Sequence, residues 1–135
     1  METRANYALI GAFVLMAVLG SDSGLGATTL ADGVSSTQGL ILEAVLTFFL
    51  VTTIYNTAVS GKAGNMAPVA IGVTLAFCIF MGGNVTGASL NPARTLGPAI
   101  MLGDGYDWAN VWLYIVGPVA GASIAGLLYT NYLKD

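Results

Sequence analysis

Long apolar stretches separated by short polar connections run through most of the chain. A helix needs about twenty mainly apolar residues to cross the hydrocarbon core of a bilayer. The second and fourth stretches have that length, and the first and third reach it if their helices extend into the polar residues beside them. The pattern therefore predicts an all-α membrane protein, a single domain over residues 1–135 with four transmembrane helices. The predicted spans are about 6–21, 39–60, 66–83 and 108–132.

The first stretch also permits a different interpretation. Arg4, the apolar residues after it and the polar run Gly20–Gly24 are together similar to a secretory signal peptide. No small-residue cleavage site of the A-x-A type follows, which favours the transmembrane helix. A signal peptide would leave three spans and put the two ends of the chain on opposite sides of the membrane.

The connection between the last two spans contains an apolar stretch of its own. It runs from Leu90 to Leu102 and includes Pro92 and Pro98. This stretch is too short to cross a bilayer, and a short apolar helix between two spans is typical of a re-entrant half-helix. We therefore predict a re-entrant loop and half-helix over residues 84–102.

Charged residues are scarce and set limits on function. Only 8% of the residues are charged and 56% are hydrophobic, whereas roughly a quarter of the residues in a soluble domain are charged. The four basic residues form no patch, which argues against nucleic acid as a partner. The chain has no histidine and shows no nucleophile–base pair, metal-binding cluster or phosphate loop. We therefore expect no enzyme, no metal and no cofactor.

The charges outside the predicted helices indicate an orientation. The basic ones are Arg4, Lys62 and Lys134, and the acidic ones in the connections between spans are Asp22, Asp32, Asp104 and Asp107. With four spans the basic group falls on one side of the membrane and the acidic group on the other. Because cytoplasmic loops carry an excess of Lys and Arg, both termini are predicted on the cytoplasmic side.

Asn91-Pro92-Ala93 predicts the start of the half-helix. Asparagine is a preferred N-cap, and proline is favoured at the first helical position because the N–H that it lacks has no intrahelical partner. If the helix starts near the membrane midplane, its positive dipole end faces the centre of the bilayer and repels cations and protons. The Asn91 side chain can donate hydrogen bonds to a neutral molecule that passes.

The residues on either side of this start are also candidates. Gly87, Ala88, Ser89 and Leu90 precede it and must be non-helical, so their carbonyl groups need a water-filled pore as partner. Arg94 lies one turn into the half-helix. A charge at membrane depth is costly unless it faces a wet cavity, where Arg94 would offer five donors and a fixed positive charge. The alternative is an interfacial arginine that only orients the loop.

The motif stands in a longer sequence, GASLNPARTLGPA. The third span opens with APVAIG at 67–72, and the fourth contains GPVAG at 117–121. Together with LADGV at 30–34, these segments resemble the C-terminal half of an aquaporin, most closely the archaeal-type members. The resemblance covers nearly the whole chain, from the third span of the family to its end.

This resemblance implies roles for individual residues. The second Asn-Pro-Ala triplet would be Asn91, Pro92 and Ala93, and the aromatic/arginine selectivity filter would include Arg94, Ala88 and Ile79. Strict water channels carry histidine where this chain has Ile79, which implies a wider and less polar filter. Thr95 stands where glycerol channels commonly have aspartate, which favours water. We expect passage of water, with glycerol or another small neutral solute left open.

Glu43 is the other charged residue predicted inside a span. A lone acid there indicates a functional or structural role, and three interpretations compete: a proton relay, an ion site and a buttress for the re-entrant loop. No His, Asp or Lys in another span would complete a relay. The resemblance implies the buttress, in which the glutamate holds backbone N–H groups of the loop, and we favour it.

A complete aquaporin has two inverted repeats, and the positive ends of their half-helices meet at the midplane. This chain has one Asn-Pro-Ala, so it is not expected to enclose such a pore alone. One hypothesis is a channel part in membrane lipid, with a partner chain that supplies the first half. Self-pairing would need an inverted copy, against the uniform placement of the basic residues. The alternative is a non-conducting, aquaporin-derived structural subunit of a larger membrane complex.

Overall fold

The computed structural model describes the backbone of residues 2–134 and the side chains of residues 6–20 and 23–134. The α-helices of this part are α1 (Glu2–Leu19), α2 (Ser36–Ile54), α3 (Ala67–Thr86), α4 (Pro92–Leu102) and α5 (Leu113–Leu128). α2 and α5 continue into π-helical turns at Tyr55–Val59 and Tyr129–Leu133. No strand occurs among the described residues. The ends of the predicted domain, Met1 and Asp135, and the side chains of Arg4 and Asp22 lie outside the described residues.

Three helical stretches within the described residues are long and apolar enough to cross a membrane. They are Ser36–Val59, Gly64–Thr86 and Trp108–Leu133. α1 contributes a shorter apolar stretch, Asn6–Leu19. The prediction of an all-α membrane protein is therefore confirmed, and the fourth crossing, over 6–21, stays a prediction.

Polar and apolar side chains are distributed as a bilayer requires. Large apolar side chains point away from the protein, among them Phe77 and Phe80, which are 62% and 79% exposed. The fully or nearly fully buried polar side chains are Thr28, Glu43, Thr47, Thr86, Ser89 and Thr95. Because lipid cannot form hydrogen bonds, polar groups at this depth must find partners inside the protein.

α2 and α5 lie side by side and run in the same direction. At the start of the pair, the hydroxyl of Ser36 in the first turn of α2 donates to Oδ1 of Asn110, just before α5, over 2.7 Å. At the other end the rings of Tyr55 and Tyr129 stack, with their centres 4.8 Å apart. The loop after α2 and the end of the described chain after α5 therefore lie at the same end of the helix pair.

Two glycines of α5 permit this close contact. A Cβ at position 117 would lie 2.9 Å from Glu43 Cβ, and one at position 121 would overlap the carbonyl oxygen of Ala44. Small residues let two helices in lipid approach until their backbones are in van der Waals contact. Gly117 and Gly121 thereby hold α2, and with it Glu43, against α5.

α4 is half the length of a transmembrane helix. Its 11 residues extend about 16 Å, against a hydrocarbon core of about 30 Å. It packs on α1 through Gly97, where a Cβ would lie 2.8 Å from the carbonyl oxygen of Ala8. Gly103 ends it with a positive φ of 55°. α4 is therefore too short to cross a membrane, and its Asn91 end can lie part-way through one.

Candidate functional site

The loop between α3 and α4 has a strained backbone. Gly87 caps α3 with φ of 80°, and Ala88 and Leu90 follow with φ of 45° and 55°. Left-handed conformations at residues with a Cβ are sparsely populated and cost on the order of 1–3 kcal/mol each. Ala88, Ser89 and Leu90 are all buried. Such a loop keeps its conformation only because its surroundings hold it.

Glu43 supplies contacts that hold the loop. Its side chain is fully buried on α2. Its Oε1 accepts hydrogen bonds from the Ser89 N–H at 2.9 Å and the Thr86 hydroxyl at 2.7 Å, and its Oε2 accepts one from the Leu90 N–H at 2.8 Å. Charge-assisted bonds of this kind are roughly twice as strong as neutral ones. Because both carboxylate oxygens are engaged by the loop and its anchor, the contacts favour a buttress over a relay.

The last turn of α3 is held from α5 as well. The Tyr114 hydroxyl donates to the Thr86 carbonyl oxygen over 2.8 Å, and the Tyr114 side chain is fully buried. The Thr86 hydroxyl, in turn, accepts a bond from the Ala88 N–H at 3.2 Å. Thr86 therefore joins α2, α5 and the loop at one point. Sequence analysis did not single out Thr86 and gave Tyr114 no structural role. Nothing in the local pattern distinguishes these two residues from other buried polar ones.

Asn91 caps α4. Its backbone is extended (φ −155°, ψ 118°), and its Oδ1 accepts from the Ala93 N–H at 2.9 Å. Pro92 is the first helical residue, and the Arg94 N–H donates to the Asn91 carbonyl oxygen over 3.0 Å. The Asn91 side chain is exposed. The positive end of the helix dipole and the amide group therefore face the same open space.

The Arg94 side chain joins two loops. Its Nη1 donates to the carbonyl oxygen of Gly26 at 2.6 Å, and its Nη2 donates to that of Gly87 at 3.4 Å. Gly26 belongs to the connection between α1 and α2, and Gly87 begins the strained loop. Two carbonyl groups thus fix the guanidinium plane, while the side chain stays exposed.

Two open clefts meet at Asn91 and Arg94, which line both. One has a volume of about 510 Å³ and lies between α2, α3, α5 and the loop. The other has a volume of about 680 Å³ and lies between α1, α4 and the Gly26 segment. The predicted residues in the first cleft are Ile79, Ala88, Ser89, Leu90, Asn91, Pro92 and Arg94.

Three predicted residues lie elsewhere. Ala93 lines the second cleft only. Gly87 lines neither cleft, and its carbonyl oxygen instead accepts the bond from Arg94. Glu43 lies behind the loop and lines neither of these two clefts. The structure thus brings Ile79, Ala88 and Arg94 to one surface and keeps the acid away from it.

A chain of buried hydroxyl groups runs beneath the site, and sequence analysis missed it. The Thr95 Oγ1 lies 2.7 Å from Thr28 Oγ1 and 2.7 Å from Ser89 Oγ. The Tyr106 hydroxyl donates to the Thr28 carbonyl oxygen over 2.9 Å. Burial raises the pKa of Tyr106 above its ordinary value, so this phenol stays protonated and remains a donor at neutral pH. No local pattern indicates the contact of Thr28 with Thr95, since 67 positions separate them.

The polar groups that face the clefts include the Asn91 amide, the Arg94 guanidinium and the backbone of the loop. These groups can form hydrogen bonds, and the guanidinium also carries a charge. In the part of the chain that the structure describes, no three or more His, Cys, Asp or Glu side chains cluster as metal ligands would.

Comparison with known proteins identifies the family of the chain. The family model described as Major intrinsic protein matches residues 6–129. The chain belongs to the major intrinsic protein family. The aquaporin resemblance predicted from the sequence is thereby confirmed.

Curated relatives of this major intrinsic protein are aquaporins from plants. The chain is 43% identical over 124 residues to "Aquaporin TIP4-1" of Arabidopsis thaliana, a match that covers 90% of the chain and 49% of that protein. It is 45% identical over 121 residues to "Aquaporin TIP1-2" of Zea mays, with 87% and 46% covered. The chain thus spans about half the length of these relatives. The likeness to archaeal-type members stays a prediction.

The family assignment and the apolar helices make the chain an integral, multi-pass membrane protein. At the level of the family the assignment is to channels and not to enzymes. Which side of the membrane each end occupies stays a prediction.

Proposed function

We propose that this chain forms one wall of an aquaporin-like pore that passes water and small neutral solutes such as glycerol. The observation that carries the proposal is the exposed Asn91–Arg94 turn at the start of a half-length helix, where two open clefts meet. A polar turn at that depth is costly in lipid and is tolerated where it lines a water-filled space.

The groups of this turn match the needs of a neutral solute. Asn91 Oδ1 is engaged by the Ala93 N–H, so the amide N–H groups are the part of the side chain left to donate. Among the described residues none accepts a bond from them. A water molecule or a hydroxyl group can accept from Asn91 and donate to loop carbonyls, which replaces the hydrogen bonds that it loses on leaving bulk water. Passage of this kind needs no cofactor.

Positive charge at the same place opposes the passage of cations and protons. The helix dipole presents roughly half a positive charge at Asn91, and the Arg94 guanidinium adds a full one about one turn away. No acidic side chain of the described residues lines either cleft to neutralise them. Cations and protons would therefore meet an electrostatic barrier, whereas uncharged molecules would not.

The second wall must come from protein outside the described residues. The clefts are open rather than enclosed, and the chain corresponds to about half of its curated relatives. We infer that a complementary segment with the first half-helix closes the path, as the inverted-repeat architecture requires. Ile79, 48% exposed on the 510 Å³ cleft, gives this wall an apolar surface that accommodates glycerol beside water.

Osmotic flux in vesicles tests the proposal. The chain is reconstituted with the first half of the Arabidopsis relative, the part of that protein that it does not match, and shrinkage is followed by stopped-flow light scattering. We expect faster shrinkage than with either half alone. Asn91→Val should slow the passage of water, because it removes the amide donor and the helix cap. Arg94→Ala should increase the leakage of protons, because it removes the positive charge, and that of glycerol, because it removes the side chain that narrows the path. Matched controls are Asn65→Val and Lys134→Ala, at exposed positions that line neither cleft.

The outcomes separate the two functional classes. If the parent pair adds no flux while the chain copurifies with a large membrane assembly, the structural-subunit hypothesis replaces the channel. If the pair conducts and both site variants behave as their controls, the path does not pass Asn91 and Arg94, and the proposal is wrong.

A further inference from the structure

The segment that presents a carbonyl group to Arg94 has an unfavourable backbone conformation. Gly24, Leu25 and Gly26 have φ of 67°, 49° and 66°, three left-handed residues in succession. Such a run is unfavourable, above all at Leu25, which carries a Cβ. The Leu25 side chain is 2% exposed and anchors one point of the segment. A second anchor is needed on the other side of Gly26.

Thr28, two residues further on, is tied from three directions. Its Oγ1 lies 2.7 Å from Thr95 Oγ1 on α4. Its carbonyl oxygen accepts from the Tyr106 hydroxyl at 2.9 Å. A Cβ at position 87 would lie 2.9 Å from Thr28 Cα, so the Gly87 backbone packs directly on it. The Thr28 side chain is fully buried.

Both acceptors of Arg94 belong to segments that Thr28 contacts. The Gly26 carbonyl oxygen lies two residues before Thr28 in the chain, and the Gly87 carbonyl oxygen belongs to the residue packed on it. We propose that Thr28 is a positioning residue for Arg94: it fastens the two carbonyl groups that hold the guanidinium and so sets the width of the path at that point. The hold on Arg94 stands by itself, and the effect on width rests on the proposed function.

Arg94 can be observed directly. Arg4 and Arg94 are the two arginines of the chain, so the full chain in detergent micelles, labelled with ¹³C,¹⁵N-arginine, gives two guanidinium signals, and Arg4→Lys assigns them. We expect rotation about the Arg94 Nε–Cζ bond to be slow in the parent. Thr28→Val should accelerate it by about tenfold or more, the change expected when the loosened segment releases one of the two carbonyl groups bonded to the Arg94 guanidinium.

The variants separate positioning from general damage. Thr28→Ser keeps the hydroxyl group and should restore the slow rotation, and Tyr106→Phe, which removes the bond to the Thr28 carbonyl oxygen, should accelerate it. Thr29→Val is the matched control, because Thr29 is the exposed neighbour. Circular dichroism identifies the folded variants, and Tyr106→Phe decides the matter if Thr28→Val does not fold. Each folded variant, Thr28→Val or Tyr106→Phe, is compared with Thr29→Val. If the Arg94 guanidinium rotates as slowly in that variant as in the control, the positioning role is overturned.

A flux measurement with the complementary half gives the second readout. Thr28→Val should raise the ratio of glycerol to water permeability above that of Thr29→Val, whereas a loss of folded protein would lower both rates together. A mobile Arg94 in Thr28→Val with no flux in the parent would sink the proposed pore and leave the positioning role in place. A conducting parent with an unchanged ratio would overturn the link between Thr28 and the width of the path.

Discussion

Glu43 is a buried charge whose partners all belong to one short stretch of chain. Two backbone N–H groups of the strained loop and the Thr86 hydroxyl donate to it, and none of these donors can reach water. A buried donor left without an acceptor costs more than its hydrogen bond contributes when formed. The hydrogen bonds between Glu43 and these donors therefore offset both the cost of burying the charge and the strain of the loop.

Glu43→Gln should lower the free energy of unfolding by about 3 kcal/mol. The amide keeps one oxygen and turns an NH₂ group toward an N–H donor of the loop. Unfolding of the chain in mixed detergent micelles, followed by circular dichroism, measures the change. Asp104→Asn removes the same charge from an exposed position and should stay within about 0.5 kcal/mol of the parent. Equal losses in the two variants would show that Glu43 does not support the loop.

At the scale of the elements, small residues at the helix contacts set how closely the helices pack. Gly117 and Gly121 bring α5 onto α2, and Gly97 brings α4 onto α1. In lipid there is no hydrophobic gain from helix contact, so packing distance and the polar groups it brings within reach decide the association. Glu43 reaches Ser89 and Leu90 from a helix whose position depends on those glycines.

Gly121→Ala should weaken the α2–α5 contact and reduce stability by about 2 kcal/mol. The added methyl group meets a backbone carbonyl oxygen, that of Ala44, which cannot rotate away. The same micelle unfolding experiment measures the loss. Gly72→Ala on α3 is the control, because nothing lies within 4 Å of its Cβ, and it should be neutral or gain up to about 1 kcal/mol from helix propensity. A Gly121→Ala protein as stable as Gly72→Ala would mean that the two helices are not in close contact.

At the scale of the molecule, the two ends of the helix pair differ in charge. Lys62 and Lys134 follow the ends of α2 and α5, which the Tyr55–Tyr129 stack brings together. Asp104 follows α4, and its loop leads to Asn110, which contacts the first turn of α2. The geometry therefore puts the two lysines at the same end of the helix pair, and the side of the membrane on which that end lies stays a prediction.

Cysteine labelling in intact cells tests this orientation. In a Cys78→Ser background, Lys62→Cys and Lys134→Cys should resist a membrane-impermeant maleimide added outside, and Asp104→Cys should react with it. The positive-inside rule supplies the direction. The parent chain keeps Cys78, which is 3% exposed, and should therefore show only background labelling. Opposite behaviour of the two lysine positions would contradict the helix arrangement, and reaction at both would reverse the orientation.

Local sequence patterns were sufficient to predict the helices. The helix class, the half-helix and its cap at Asn91 follow from apolar length and from the preference of Asn and Pro for helix starts, which act over a few residues. The sequence also indicated that Glu43 needs a partner, since a lone acid in a span is costly. The resemblance implied backbone N–H groups of the loop as its partners, and only the structure identifies those of Ser89 and Leu90.

By itself, then, the amino-acid order determined which segments are helical, which of them are apolar enough for lipid, and where a short helix begins. Only the tertiary structure decided what surrounds Arg94: the Gly26 carbonyl group, Thr28 behind it and the Tyr106 hydroxyl. The physical reason is range. Helix formation depends on neighbours a turn away, whereas these contacts join residues 68 and 78 positions apart, and they exist only after glycines let the helices close.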